Sequence, residues 1–249
     1  MSVAAEGAPV CDGRWRLAER LAGAVEETIW RAEPAALVTV GWDTGVPADE
    51  LAAALALPHD GVTPLLAAGR LDGTERQALV EALPVGAPRG RAPELAAARR
   101  WGVETAAIAA RAHAAGDALG GIRPEAVWIA GDAVAAIAPR ATRLWELRDT
   151  DAGVVPGHAE LYRSPERLAG AGVSAADDVF AIAATVVAWA TGAHAFAGTT
   201  PGERDQSLLT GRRAPFSGPP SLALLLAAAL GAAPGRPGAA GLAAGLATA

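Results

Sequence analysis

The chain reads as an α+β protein in two parts, a small β-rich N-terminal lobe and a larger, mainly helical C-terminal lobe. Three observations predict this. Up to residue 83 short runs with β-branched residues and period-two alternation are separated by turn signals. A Pro/Gly/Arg-rich run over 84–93 then breaks the pattern. After it come long alanine-rich stretches, and one of them, 174–191, is apolar nearly all round, as a helix in the middle of a domain should be. A length of 249 residues suffices for two such lobes and a substantial core. We divide it into an N-terminal extension (1–12), a small lobe (13–83) and a large lobe (84–249).

In the small lobe, 16–40 supplies three short antiparallel strands. Residues 47–57 form a short helix, and 63–69 and 75–83 are two further strands joined at the Asp72-Gly73 turn, a strong hairpin signal. In the large lobe, 94–115 is a long helix carrying Leu95, Trp101, Val103 and Ile108. The next hairpin turns at Gly131-Asp132. Ser164-Pro165-Glu166 reads as an N-cap, a first-turn proline and a helix acid.

Ser174 caps the central helix, and Asp177, three residues on, sits where a capping-box carboxylate reaches back. Asp178 is then left over: a carboxylate at the head of a buried helix needs donors, most cheaply backbone amides of another segment. Helices follow over 203–210 and 221–230, and the Ala/Gly-rich tail is expected to fray.

Composition excludes several classes. A net charge of −6 and a pI near 5.3 argue against nucleic acid or an anionic membrane surface as partner. The longest apolar run falls short of the roughly 20 residues that span a bilayer, and no signal peptide is evident, so a cytoplasmic location is expected. Cys11 is the only cysteine, which excludes an intramolecular disulfide. Gly170-Ala171-Gly172-Val173-Ser174-Ala175 matches a dinucleotide fingerprint, yet no strand precedes it. The four histidines show no metal-ligand spacing. The chain also contains no lysine and no asparagine.

Ser164-Pro165-Glu166, then Asp178-Val179-Phe180 heading a buried helix, then T-G-x-x-x-F-x-G from Thr191 to Gly198, together resemble the C-terminal lobe of protein kinases, of the bacterial Ser/Thr kind. The resemblance implies a two-lobed protein kinase-like fold. It also implies a Glu166–Arg236 bridge and an Asp178 that accepts amides from the catalytic loop.

The family's reactive positions are replaced. Ala22, Ala24 and Glu27 stand where a glycine-rich loop covers nucleotide phosphates. Val38, give or take one residue, stands for the phosphate-holding lysine, and with no lysine in the chain no register change restores it. Asp49 or Glu50 occupies the place of that lysine's partner and reads as a solvated helix acid, and His59 reads as a turn histidine without chemistry. Ile122-Arg123-Pro124-Glu125 sets the catalytic-loop register, so Leu119 replaces the histidine, Gly121 the catalytic aspartate, Arg123 the loop lysine and Ala126 the magnesium-binding asparagine. The D-F-G position falls on Ala138-Pro139-Arg140, and Ala138 offers no metal ligand. Each such loss costs roughly 10²- to 10³-fold. Ile29, Ala36 and Trp128 would line the adenine pocket, with Trp128 either filling it or turning outward onto the surface.

The resemblance therefore implies a catalytically inactive domain, a pseudokinase. It needs no cofactor or metal and acts as scaffold or allosteric regulator on another protein, such as an active kinase or signalling component. The alternative is a divergent Ser/Thr kinase or nucleotide-transferring enzyme that uses Glu27, Asp132 or Asp149 as a displaced metal ligand. Thr142 and Thr150, in a stretch resembling an activation segment, are candidate phosphorylation sites.

Overall fold

Alternation in the first third becomes a six-stranded antiparallel sheet in the computed structural model, which describes residues 4–23, 28–41, 44–140, 161–198 and 200–249. Its strands are β1 (Pro9–Val10), β2 (Trp15–Gly23), β3 (Thr28–Glu33), β4 (Ala36–Gly41), β5 (Leu65–Arg70) and β6 (Gln77–Ala82), in the order β1-β2-β3-β4-β6-β5. Val10 also bridges to Leu71 just past β5, so the two edges of the sheet meet and the sheet curls onto itself. Inside the curl lie Leu17, Trp30, Ala32, Ala36, Val38, Val40 and Val80, the alternate residues of their strands. Helix α1 (Ala48–Ala54) covers the other face, with Leu51 and Leu55 against Leu79. Every β4 residue is buried, because one set of alternate side chains faces the curl and the other faces away from it.

Among described residues, 4–58, 62–84 and 138–140 form this smaller unit, and 59–61, 85–137 and 161–249 form the larger one. Pro9–Val10, within the stretch read as an extension, is the first strand of the sheet.

The larger unit contains a three-stranded sheet, β7 (Ala87–Pro88), β8 (Val127–Ala130) and β9 (Ala133–Ile137). Its helices are α2 (Leu95–Ala114), α3 (Pro165–Leu168), α4 (Ala175–Thr191), α5 (Pro201–Leu209), α6 (Pro220–Ala229) and α7 (Ala239–Thr248). In α4 all residues from Asp177 to Trp189 are buried. Each large apolar side chain among them contributes about 1.5–3 kcal/mol of transfer free energy. The helix ends at Gly192, whose φ of 73° is the left-handed cap conformation. Residues 170–174 lead into it from α3 rather than from a strand, so the dinucleotide fingerprint lacks its context.

Two local expectations are corrected. The Ser174 side chain does accept the Asp177 amide at 3.2 Å, but the Asp177 carboxylate does not reach back to close a capping box; Oδ1 accepts the Ser164 amide at 3.0 Å. A carboxylate this buried serves whichever amide would otherwise be orphaned, and here that amide precedes α3. The tail does not fray away either, because Leu242 and Leu246 of α7 are fully buried. A Cβ on Gly102 of α2 would lie 2.5 Å from Val186 Cγ2 and 3.0 Å from Leu246 Cδ1, so glycine is what lets α4 and α7 approach α2. Arg99 then donates to the carbonyls of Leu246 and Ala247 at the C-terminal end of α7, where cations are favoured.

Candidate functional site

The larger unit is pinned around the head of α4. Asp178 is fully buried and accepts hydrogen bonds from the amides of Leu119 (2.7 Å) and Gly120 (2.8 Å). His113, near the end of α2, places Nε2 2.8 Å from Asp178 Oδ2, a third donor to the same carboxylate. Sequence reasoning passed over His113, although an imidazole in the last turn of a helix that leads into a loop was the available signal.

The loop held by Asp178 is shaped by two glycines. Gly120 and Gly121 both have positive φ (61° and 77°), a conformation the glycines supply. Ala126 is buried at the start of β8. Arg123 is nearly buried, and its Nε stands 3.9 Å from Glu125 Oε2, too far for a hydrogen bond.

Glu166 and Arg236 meet as expected, with Arg236 Nη2 2.8 Å from Glu166 Oε2 and 3.2 Å from Oε1. Arg236 also donates to the carbonyls of Gly231 and Ala176 and lies 5.1 Å from the centre of the Phe180 ring. The bridge is buried on one side only: the Arg236 side chain is 1% exposed and that of Glu166 35%. Partial burial opposes ionisation of Glu166, but its hydrogen bonds from backbone and from Arg236 outweigh that and hold its pKa below the usual value.

In the smaller unit, strand register corrects the sequence reading. Val38 pairs with Val80 and with Trp30, and all three turn into the curl of the sheet. The residue on the α1 face is the next one, Thr39, opposite Leu79 and within the one-residue allowance of the sequence reading. Thr39 is buried, and its hydroxyl has no hydrogen-bond partner among the described residues. Ile29 is directly opposite Thr39, whereas Ala36 is opposite Ala32, so Ile29 and Ala36 lie on different faces and do not line one pocket. The reason is the two-residue period of the strand, which sends neighbouring side chains to opposite sides. Asp49 and Glu50 are exposed in the first turn of α1.

Ala138 is buried, and beside it Arg140 forms the principal polar cluster of this unit. Its Nη1 is 2.8 Å from Glu81 Oε1, and Nε is 2.8 Å from the Leu55 carbonyl at the end of α1. Nη1 also reaches the Thr63 carbonyl and hydroxyl, and the Thr63 hydroxyl donates to Glu81 Oε1 at 2.5 Å. Burial drives the Glu81 pKa up, against the pull of Arg140 and Thr63. The pairing was not read from the sequence, because nothing local links positions 59 apart in the chain.

Other candidates fall elsewhere. His59 Nε2 is 2.8 Å from Asp117 Oδ2, so the turn histidine is tethered to the end of α2. Asp132 points an exposed carboxylate toward Arg100 (3.5 Å) while its carbonyl accepts from Arg100 and Trp101. Trp128 is 3% exposed and so does not turn out onto the surface. A cavity of about 180 Å³ in the larger unit is lined by Pro124, Glu125, Tyr162, Gly192 and His194. Burial, with Glu125 nearby, raises the Tyr162 pKa, so the phenol there stays neutral. The Ala22 side chain, Ala24, Glu27, Thr142, Asp149 and Thr150 lie outside the described residues.

No family model matches the chain, and no curated protein matches it. Solved structures do. The crystal structure of Rad53 1-466 in complex with AMP-PNP superposes with a TM-score of 0.67 at 16% identity, covering 95% of this chain. The fold is protein kinase-like. Both units of the chain fall within that coverage, the curled antiparallel sheet with α1 and the helical part built on α4. This chain spans 64% of the length of the Rad53 chain, and the AMP-PNP in that crystal is a ligand of Rad53. Among the described residues no helix is long and apolar enough to cross a membrane.

Proposed function

We propose that the chain is a pseudokinase, a kinase-like domain of the bacterial Ser/Thr type that has lost phosphoryl transfer and works by binding another protein as scaffold or allosteric regulator. One contrast carries the reading. The groups that fasten the large lobe are in place: Asp178 on the Leu119 and Gly120 amides, and Glu166 on Arg236. The loop they fasten presents Gly121 and Ala126, the D-F-G position presents Ala138, and the strand presents Thr39 or Val38.

Phosphoryl transfer is almost wholly positioning and charge neutralisation. A scaffold without a lysine, a base or metal carboxylates at those positions supplies neither, whereas the intact fasteners keep a defined surface for a partner. On this reading the domain requires no cofactor, it resides in the cytoplasm, and its partner is an active kinase or another signalling component.

The enzyme alternative rests on displaced ligands. Asp132, the one of its three acids within the described residues, is on an exposed turn beside Arg100.

A melting-temperature titration with ATP, with and without magnesium or manganese, separates the two readings. The pseudokinase reading expects no metal-dependent shift and no phosphate release. A saturable rise of several degrees that requires the metal, together with ATP turnover abolished by Asp132→Ala, would establish the alternative.

A further inference from the structure

Arg140 stands where the resemblance puts the last residue of D-F-G, in the segment that leaves β9 and joins the smaller unit. A cation at that place invites a role as substitute for the missing lysine, gripping phosphate. Its geometry opposes that role. The side chain is 1% exposed, and its donors point into the protein: Nε to Leu55 O, Nη1 to Thr63 and Glu81, and Nη2 toward Leu57 O at 3.5 Å.

The partners come from three separate pieces of chain. Leu55 caps the carbonyl end of α1, where the last turn leaves acceptors without helical partners, and Leu57 follows two residues later. Thr63 precedes β5, and Glu81 is on β6, directly opposite Leu37 of β4. A planar guanidinium can serve such a fan of acceptors at once, and an ammonium cannot. Glu81 is itself 1% exposed, and its second oxygen accepts no hydrogen bond among the described residues. Its charge therefore depends on Arg140. Because desolvation offsets most of the Coulombic gain of a buried pair, such a pair does little for net stability; its effect is to penalise every arrangement in which the partners separate.

From this we infer that Arg140 is a conformational lock on the smaller unit. It holds the end of α1, Leu57, Thr63 and β6 in one arrangement, and the 138–140 segment is a fixed part of that unit rather than a hinge or a phosphate-binding arm. The lock is independent of whether the chain turns over nucleotide.

Native-state hydrogen exchange of the full chain, read by peptide mass, tests it. Arg140→Met strands the Glu81 charge, so amides of α1 and β4–β6 should exchange at least about tenfold faster, while peptides over 112–122 and α4 keep wild-type rates. Arg140→Lys should release the end of α1 first, since one ammonium cannot reach both Leu55 and Glu81. The double variant Glu81→Leu/Arg140→Met removes both charges and should recover most of the lost protection. It also serves as the test if the single variant does not fold. Wild-type exchange in α1 and β4–β6 of Arg140→Met, a uniform loss across both units, or a double variant no better than the single one would each overturn the lock.

Discussion

Both units bury a carboxylate, and they satisfy it by opposite means. In the larger unit Asp178 takes two loop amides and an imidazole, so backbone and a helix-end histidine do the work. In the smaller unit Glu81 is held by a guanidinium brought from 59 positions along the chain. The first arrangement fixes the shape of a loop through its own backbone amides and an imidazole, with no guanidinium involved. The second fixes how separate segments meet, and it fails as a whole if either partner is removed. Fastening a loop and locking a sheet to a helix are thus separable properties of this fold: the Arg140 variants break the second, and the following substitutions test the fasteners of the larger unit one at a time.

Asp178→Ala should have the largest effect. It leaves the Leu119 and Gly120 amides buried and unpaired, at about 1–3 kcal/mol each, so urea denaturation should show a loss of about 3–4 kcal/mol. Asp178→Asn, which keeps an acceptor for one amide, should recover roughly half of that. A loss below about 1 kcal/mol for the alanine variant would mean that water reaches those amides and that the loop does not depend on α4.

At the Glu166–Arg236 bridge the two ends should behave unequally. Arg236→Met removes an ion pair, two carbonyl contacts and the Phe180 contact from a side chain that is nearly inaccessible, so about 2–3 kcal/mol is expected. Glu166 is a third exposed, and water can replace part of what Arg236 supplies, so Glu166→Gln should cost only about 1 kcal/mol. Equal losses in a melting series would show that the acid is as inaccessible as the base.

The smallest effect is a pH dependence at Asp177. Burial pushes its pKa up to about 6, opposed by its hydrogen bonds from Ser164, while the nearby Asp178 adds to the rise and Arg167 to the opposition. The folded state therefore binds this proton more tightly than the unfolded chain. The resulting stability is complete below the unfolded pKa near 4 and is lost as pH rises through about 6. Wild type should lose about 1 kcal/mol relative to Asp177→Asn between pH 5 and 7. A difference between the two proteins that stays flat across that window would place the folded pKa near the ordinary aspartate value.

Local signals carried much of the fold. Ser164 and Ser174 as caps, the Asp72-Gly73 turn and the apolar circumference of α4 follow from dihedral preferences and period, and each can be read within a few residues. The resemblance, carried by Glu166, Asp178 and Arg236, then supplied the long-range pairings that periodicity cannot reach. What was missed is non-local. Val38 and Thr39 are indistinguishable in the text, and only pairing against Leu79 and Val80 shows which one faces α1. The sequence has Asp177 reaching back to its own N-cap, and only the folded chain shows its Oδ1 accepting the Ser164 amide ahead of α3.

The sequence by itself determined the element types, the helix starts and stops, and the absence of lysine and asparagine that limits the chemistry of any kinase-like site built from it. Only the tertiary structure decided that Arg140 meets Glu81, that His113 meets Asp178, and that an alanine-rich tail docks on Gly102. The physical reason is range. Caps and turns are settled by interactions within one helical turn, whereas a buried charge is settled by whichever distant group the collapsed chain places within hydrogen-bonding distance.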